Sequence, residues 1–162
     1  MSVATGDVLS YRRATSEDVN WLVDAYIASL GTAIAEARGY WDETKERGQF
    51  LEQLRLSETS VVVSRKTAVG FYTVWFEADH AFLGTLCIVP ESQNRRFGTL
   101  TMCEIAQRAG NLPVHLSVLK SNRRARRFYE QLGCIVTSSS EYHDHLVWPN
   151  KAMHATCAGA RS

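Results

Sequence analysis

The chain of 162 residues has little to offer several common functional classes. Its four cysteines, Cys87, Cys103, Cys134 and Cys157, are scattered without a Cys-x-x-Cys pair, and the opening MSVATGDVLSYRR lacks the apolar run of a secretory signal. Together these imply a cytoplasmic protein with reduced thiols. The most apolar stretch, residues 68–76, falls far short of the roughly 20 residues needed to cross a bilayer, which argues against a membrane protein. There is no excess of charge: 18 Lys and Arg against 17 Asp and Glu leave a net +1, too little for a global field that would gather nucleic acid or anionic lipid. Neither Gly-x-Gly-x-x-Gly nor Gly-x-x-x-x-Gly-Lys-Ser/Thr occurs, so the dinucleotide fingerprint and the common nucleotide loop do not apply. Internal repeats and low-complexity linkers are also missing. What remains is average composition, 45% hydrophobic and 22% charged, at a length suited to one compact domain with a sizeable core.

Residues 9–13 read as a strand ending at Thr15, which with Asp18 makes a capping-box signature. Val19, Leu22, Val23, Tyr26, Ile27 and Leu30 then recur on one helical face. The segment after Gly31 is ambiguous, but Asp42 can cap a second helix whose Phe50, Leu51 and Leu54 point one way. From Thr59 the pattern turns strand-like: 61–63, a turn at 65–67, and 69–76 predict an antiparallel pair, and 80–89 a further strand closed by Pro90. Met102, Ile105, Ala106 and Ala109 mark a helix ending at Gly110. Val114, Leu116 and Val118 alternate as a half-buried strand does. Ala125, Phe128 and Leu132 form a stripe stopped by Gly133. Residues 134–136 and 142–148 read as the last strands. Residues 1–148 are thus one domain and 149–162 a flexible tail. The order β-α-α-β-β-β-α-β-α-β-β implies a mixed α+β sheet with helices on its faces.

The run Pro90-Glu91-Ser92-Gln93-Asn94-Arg95-Arg96-Phe97-Gly98-Thr99 joins a strand directly to a helix. A helix N-terminus there presents unpaired N–H groups and partial positive charge, suited to a phosphate or pyrophosphate. Gly98 allows close backbone approach, and Arg95 and Arg96 add charge. A plain surface loop with solvated arginines is the competing reading.

Read together with Ser121-Asn122-Arg123-Arg124-Ala125-Arg126-Arg127-Phe128-Tyr129-Glu130-Gln131-Leu132-Gly133-Cys134, this segment resembles the GNAT acetyltransferase superfamily. That family has Gln/Arg-x-x-Gly-x-Gly/Ala at its pyrophosphate helix and Asn-x-x-Ala-x-x-Phe-Tyr-x-x-x-Gly-Phe near its end. Gln93 and Gly98 match the first pattern, with Arg96 in place of its first glycine. Asn122, Ala125, Phe128, Tyr129 and Gly133 match the second, with Cys134 in place of the aromatic. The opening 11–18 also resembles the family's first strand and helix start, so the likeness spans most of 9–148.

The resemblance implies a mostly antiparallel sheet with a central parallel splay and helices on both faces. It further implies acetyl-CoA bound in that splay against Leu86, Cys87, Ile88 and Val89, with Gln93, Asn94, Arg95, Arg96, Phe97, Gly98 and Thr99 at the pyrophosphate and Asn122, Ala125 and Phe128 beside it. The family's strand backbone polarises the thioester carbonyl as an oxyanion-type donor. Its tyrosine, here Tyr129, meets the departing sulfur, since a phenol of pKa about 10 can protonate a thiolate of pKa about 8.5. The activity implied is an N-acetyltransferase acting on a primary amine by direct attack in a ternary complex, without a metal and as a possible homodimer. A catalytically inactive acyl-CoA-binding regulatory module is the alternative, suggested by Arg96 and by the acid-free strand 81–89.

With no carboxylate in that strand, the base that deprotonates the amine is open among Glu36, Glu77, Asp79 and His80, acting directly or through water, unless the amine arrives neutral. Tyr40, Trp41 and Asp42 lie where the family builds its acceptor pocket. They could receive a cationic amine, or serve as helix cap and packing. His143-x-His145 reads as a solvated or pocket-lining pair in preference to metal ligands. Arg123, Arg124, Arg126 and Arg127 read as solvated helix residues, some near the CoA phosphates, and not as an RNA site.

Overall fold

The computed structural model describes residues 6–160; residues 1–5 of the expected domain and 161–162 of the expected tail lie outside them. Strand β1 (Leu9–Arg13) leads into the capping box. There the Thr15 N–H donates to the Asp18 carboxylate at 2.8 Å, and Arg12 grips both oxygens of the same carboxylate at 2.7 and 2.8 Å. These donors, the Arg12 guanidinium first, hold the Asp18 carboxyl down to about 2. Helix α1 (Val19–Arg38) then runs without a break to Gly39, whose φ of 77° ends it. Gly31 lies inside α1 because the Trp41 indole packs over it: a Cβ there would sit 3.2 Å from the ring. Asp42 caps α2 (Glu43–Gln53) by accepting from the Lys45 N–H. Glu46 and Phe50, four residues apart, form the buried face of α2, whereas Leu51, expected beside Phe50, is 46% exposed. One residue further along a helix is about 100° around it.

The sheet has the order β1-β2-β3-β4-β5-β7-β6, with β2 Thr59–Ser64, β3 Thr67–Phe76, β4 Ala81–Ile88, β5 Val114–Leu119, β6 Ile135–Ser139 and β7 His143–Trp148. Every neighbour pair is antiparallel except β4 and β5. That parallel pairing covers only Ala81, Phe82 and Leu83 against Val114, His115 and Leu116. Immediately beyond it the β3–β4 register slips, with Val74 opposite Leu83 but Thr73 opposite Thr85, so Gly84 is a bulge. Its Cα faces the Trp75 ring, where a Cβ would come within 2.7 Å. Past this point β4 and β5 diverge and leave a V-shaped gap.

Helices cover both faces, as the sequence implies. Helices α1 and α2 bury Leu22, Val23 and Phe50 against Val61, Phe71, Cys87 and Val89. On the other face, α3 (Phe97–Ala109) and α4 (Arg123–Gln131) bury Met102, Ile105 and Tyr129 against Val74, Leu83, Leu116 and Trp148. The fully buried Trp148 satisfies its indole N–H on the Leu132 carbonyl at 2.8 Å.

Two expectations need correction. The chain after Trp148 is not a flexible tail: Asn150–Ala160 form helix α5, which packs on α3, buries Met153 and seats Ala152 against Gly133. Its apolar side chains are small and few, so no strong stripe marks it in the sequence. Nor are all thiols free. Cys103 of α3 and Cys157 of α5 form a disulfide, with Cα atoms 5.5 Å apart, while Cys87 and Cys134 remain buried thiols.

A bridge across a sequence separation of 54 restricts the unfolded chain by up to about 4 kcal/mol in the chain-entropy account. Thermal melts with and without reductant should therefore differ by several degrees, up to about 10 °C, with Cys157→Ser reproducing the reduced value. An unchanged melt in reductant would contradict the bridge.

Candidate functional site

The left wall of the gap is β4. The Val89 N–H pairs with the Val69 carbonyl at 2.9 Å, and because backbone groups alternate along a strand, Leu86 and Ile88 direct theirs into the gap. The Ile88 carbonyl is already engaged there by the Gln93 side-chain amide at 2.8 Å and the Ser29 hydroxyl at 3.3 Å. Leu86 has no strand partner on that side, since pairing with β5 ends at Leu83. Val89, expected in the binding wall, belongs instead to the α1/α2 core by its side chain and to β3 by its N–H. Cys87 is likewise buried, and desolvation pushes its thiol up to about 12.

Between β4 and α3 the chain passes through two left-handed residues, Asn94 (φ 62°) and Arg96 (φ 67°). This conformation presents the first-turn N–H groups of 97–99 at the bottom of the gap. A cleft of about 550 Å³ opens here, lined by Leu86, Ile88, Gln93, Asn94, Arg96 and Thr99, with α4 opposite. Phe97 contributes backbone only, its ring being 1% exposed. Gly98 meets the Phe128 ring, where a Cβ would lie 3.1 Å away, so its first role is to let α3 approach α4. Arg95 departs from expectation: its guanidinium pairs with Asp7 and stacks on Phe97 at 4.8 Å, turned from the cleft.

The right wall is the start of α4. Asn122 caps it by accepting from the Ala125 N–H, and Arg124 reaches across to the Asn94 side-chain carbonyl at 3.0 Å. Arg124 and Arg127 line the cleft with Arg96, while Arg126 is held by Glu130 and Asp144. Two helix N-termini and three guanidinium groups around one cleft suit a diphosphate. Of the arginine run that the sequence placed partly near the CoA phosphates, Arg124 and Arg127 are the members that line the cleft, whereas Ser29 carried no signal in the sequence.

A second cleft, about 670 Å³, lies toward α2 and shares Leu30, Leu86, Asn122, Ala125 and Tyr129 with the first. Tyr129 therefore stands where the two meet. It is 8% exposed, and burial raises its pKa further above 10, so the phenol stays protonated. Among the described residues its hydroxyl has no hydrogen-bond partner. Tyr26, Phe50, Trp75 and Phe82 give this cleft aromatic walls, and Arg55 lies over Trp75 at 4.2 Å. A third cleft of about 520 Å³ continues outward past His143 to Tyr40, Arg38 and the buried Glu46, whose carboxylate pairs with Arg38 at 2.8 Å.

Of the expected acceptor residues, then, Tyr40 lines a cleft, whereas Trp41 rests on Gly31 and the Asp42 carboxylate is engaged by its cap. The suggested bases are misplaced as well. Glu36, Glu77 and Asp79 are exposed, and His80 lies at the closed end of the splay, bound to Asp79 at 2.6 Å and stacked on His115. Glu52 and His143 line the second cleft instead. No helix among the described residues is long and apolar enough to cross a membrane.

Residues 20–134 match the model of the acetyltransferase (GNAT) family. The chain belongs to that family. Its fold also recurs in solved structures. PaiA N-acetyltransferase from Thermoplasma acidophilum, in complex with coenzyme A, superposes with a TM-score of 0.71 at 20% identity, over 88% of this chain and 99% of that one. YjaB from Escherichia coli in its apo form gives 0.69 at 24%, over 87% and 97%. An acetyltransferase from Thermus thermophilus gives 0.68 at 19%, over 88% and 97%. No curated protein matches the chain by sequence search. The GNAT pattern has glycine where this member has Arg96, and the φ of 67° explains the family's choice: an L-residue pays about 1–2 kcal/mol in this region.

Arg96→Gly should accordingly exceed Arg96→Ala in stability by about 1 kcal/mol, because alanine keeps the strained backbone and glycine relieves it. Urea unfolding of the two variants measures the difference. Equal midpoints would mean that the loop relaxes to another conformation.

Proposed function

We propose that the protein transfers acetyl from acetyl-CoA to a primary amine by direct attack within a ternary complex. The observation that carries this reading is the shared wall of the two clefts, where Leu86 and Tyr129 face both. Family membership and the coenzyme A held by the Thermoplasma structure support acetyl-CoA as co-substrate. The first cleft fits it by chemistry: the first-turn N–H groups of 97–99 with Arg96, Arg124 and Arg127 suit a pyrophosphate, and the open edge at Leu86 suits an amide-bearing arm.

Acetyl-CoA supplies an acyl group already activated as a thioester. The Leu86 N–H, fixed on the rigid strand beyond the Gly84 bulge, is oriented to donate to the thioester carbonyl as negative charge develops on its oxygen. The buried Tyr129 hydroxyl carries a proton at every physiological pH and delivers it to the sulfur as the C–S bond breaks. The aromatic walls of the second cleft hold the amine and exclude water from competing with it.

A thiol-release assay over an amine panel, combined with acetyl-CoA titration, tests the reading. Coenzyme A release dependent on an amine is expected; tight binding without turnover on any amine would favour a regulatory acyl-CoA-binding module. Tyr129→Phe keeps the ring's packing and removes only the hydroxyl, so kcat should fall at least tenfold, the low side of the roughly 10²–10⁴ typical of general acids, with acetyl-CoA affinity unchanged. Unchanged turnover where chemistry limits the rate would reduce Tyr129 to a packing residue.

A further inference from the structure

An amine reaches the enzyme largely as an ammonium ion, and the groups named so far leave its proton without a destination. His143 begins β7 opposite Leu119 of β5. Asp144, Leu146 and Trp148 are buried on the far face of the strand, so alternation puts His143 on the face toward α1 and α2. There it lines both the second and the third clefts beside Tyr26 and Phe50. Its backbone is pinned by Ser140, whose N–H donates to the His143 carbonyl at 2.8 Å and whose hydroxyl accepts from the His143 N–H at 3.2 Å. The ring itself has no hydrogen-bond partner among the described residues. Two other histidines differ: His145 shares a hydrogen with Ser117 at 2.6 Å, and His80 is bound to Asp79.

We propose that His143 is the base that takes the first proton from the acceptor ammonium, an assignment that rests on the amine-acetylating function above. The charged and titratable groups around it are Tyr26 and Arg38 from α1, Glu46 and Glu52 from α2, Arg55 and Tyr129 on the cleft walls, Glu141 and Tyr142 before β7, and His145 on it. Tyr40 closes the outer end, and β5 presents the apolar Leu119. Glu46 is neutralised by Arg38. Burial first, and His145 second, lower the His143 pKa below the ordinary 6.5, which keeps the ring unprotonated at neutral pH.

The protons balance. His143 takes one from R–NH₃⁺ and passes it to solvent. The neutral amine forms the C–N bond as the C–S bond breaks; Tyr129 protonates the sulfur, and the second proton shed by the nitrogen returns through solvent to reprotonate Tyr129. The products are the amide, free thiol and one proton released.

His143→Gln separates this role from a structural one when two acceptors are compared: an alkylamine, protonated at neutral pH, and an arylamine that arrives neutral. The variant should lose at least tenfold in kcat/KM with the alkylamine, a threshold set below the roughly 10²–10⁴ expected for general bases. It should stay within about twofold with the arylamine and keep its acetyl-CoA affinity. Because the neutral ring is the active form, wild-type kcat/KM for the alkylamine should fall as pH drops below 6.5, and this limb should vanish in the variant. In a separate readout, the wild-type imidazole resonance absent from His143→Gln should shift its titration when the alkylamine binds beside coenzyme A. An unaltered alkylamine rate and pH limb, equal losses on both amines, or a resonance indifferent to the amine would each overturn the assignment and, in the first case, turn attention to Glu52. Turnover by the wild type alongside any of these results leaves the acetyltransferase reading intact, whereas a wild type inert toward every amine removes both.

Discussion

Everything at the site depends on the abrupt end of hydrogen bonding between β4 and β5. Three residue pairs join them, and then the bulge at Gly84 turns β4 away. A continuous sheet would have consumed the Leu86 backbone groups in its own ladder. The break leaves them polar, rigid and unpaired by strand, conditions that normally carry a free-energy penalty in a protein interior. Packing of Trp75 against the bare Cα of Gly84 stabilises the departure. The gap also allows α4 to bring Tyr129 to the same point from the opposite wall.

The two helical layers divide the work. Helices α3 and α4 offer their positive N-termini and arginines to the first cleft, a site built from backbone and charge. Helices α1 and α2 border the second cleft with aromatic rings, and their charges are mostly paired with each other, Arg38 with Glu46 and Arg47 with both Asp24 and Glu43. The two clefts join where Leu30, Leu86, Asn122, Ala125 and Tyr129 face both. An arginine-lined channel and an aromatic-walled one thus meet along the wall they share.

Much of this was legible from the chain. Thr15 and Asp18 announce the first helix because their capping chemistry is local. The β-branched run Val61–Val63 and the turn at Arg65 and Lys66 specify the β2–β3 hairpin, with both turn residues at positive φ (49° and 67°). Tyr129 was found by the spacing of its motif, and Gly98 too, although its contact with Phe128 gives it an extra reason. The misreadings arose where tertiary contact overrides local pattern. Helix α5 is held by a disulfide and small side chains that periodicity does not register. Arg95 is drawn off by Asp7, 88 residues earlier in the chain. Val89 satisfies β3 and the core. Three of the four suggested bases flank the acid-free strand and Glu36 lies on α1, while Glu52 and His143, which line the second cleft, come from α2 and β7, which only folding brings there.

One detail of β4 reaches further than its size suggests. The Ile88 carbonyl receives both the Gln93 amide and the Ser29 hydroxyl, which fills its two lone pairs. A guest chain laid along this edge can therefore donate to Leu86 but not to Ile88. For an incoming donor the edge behaves as a ruler with one usable mark, the Leu86 carbonyl, whose distance from the start of α3 is set by the protein.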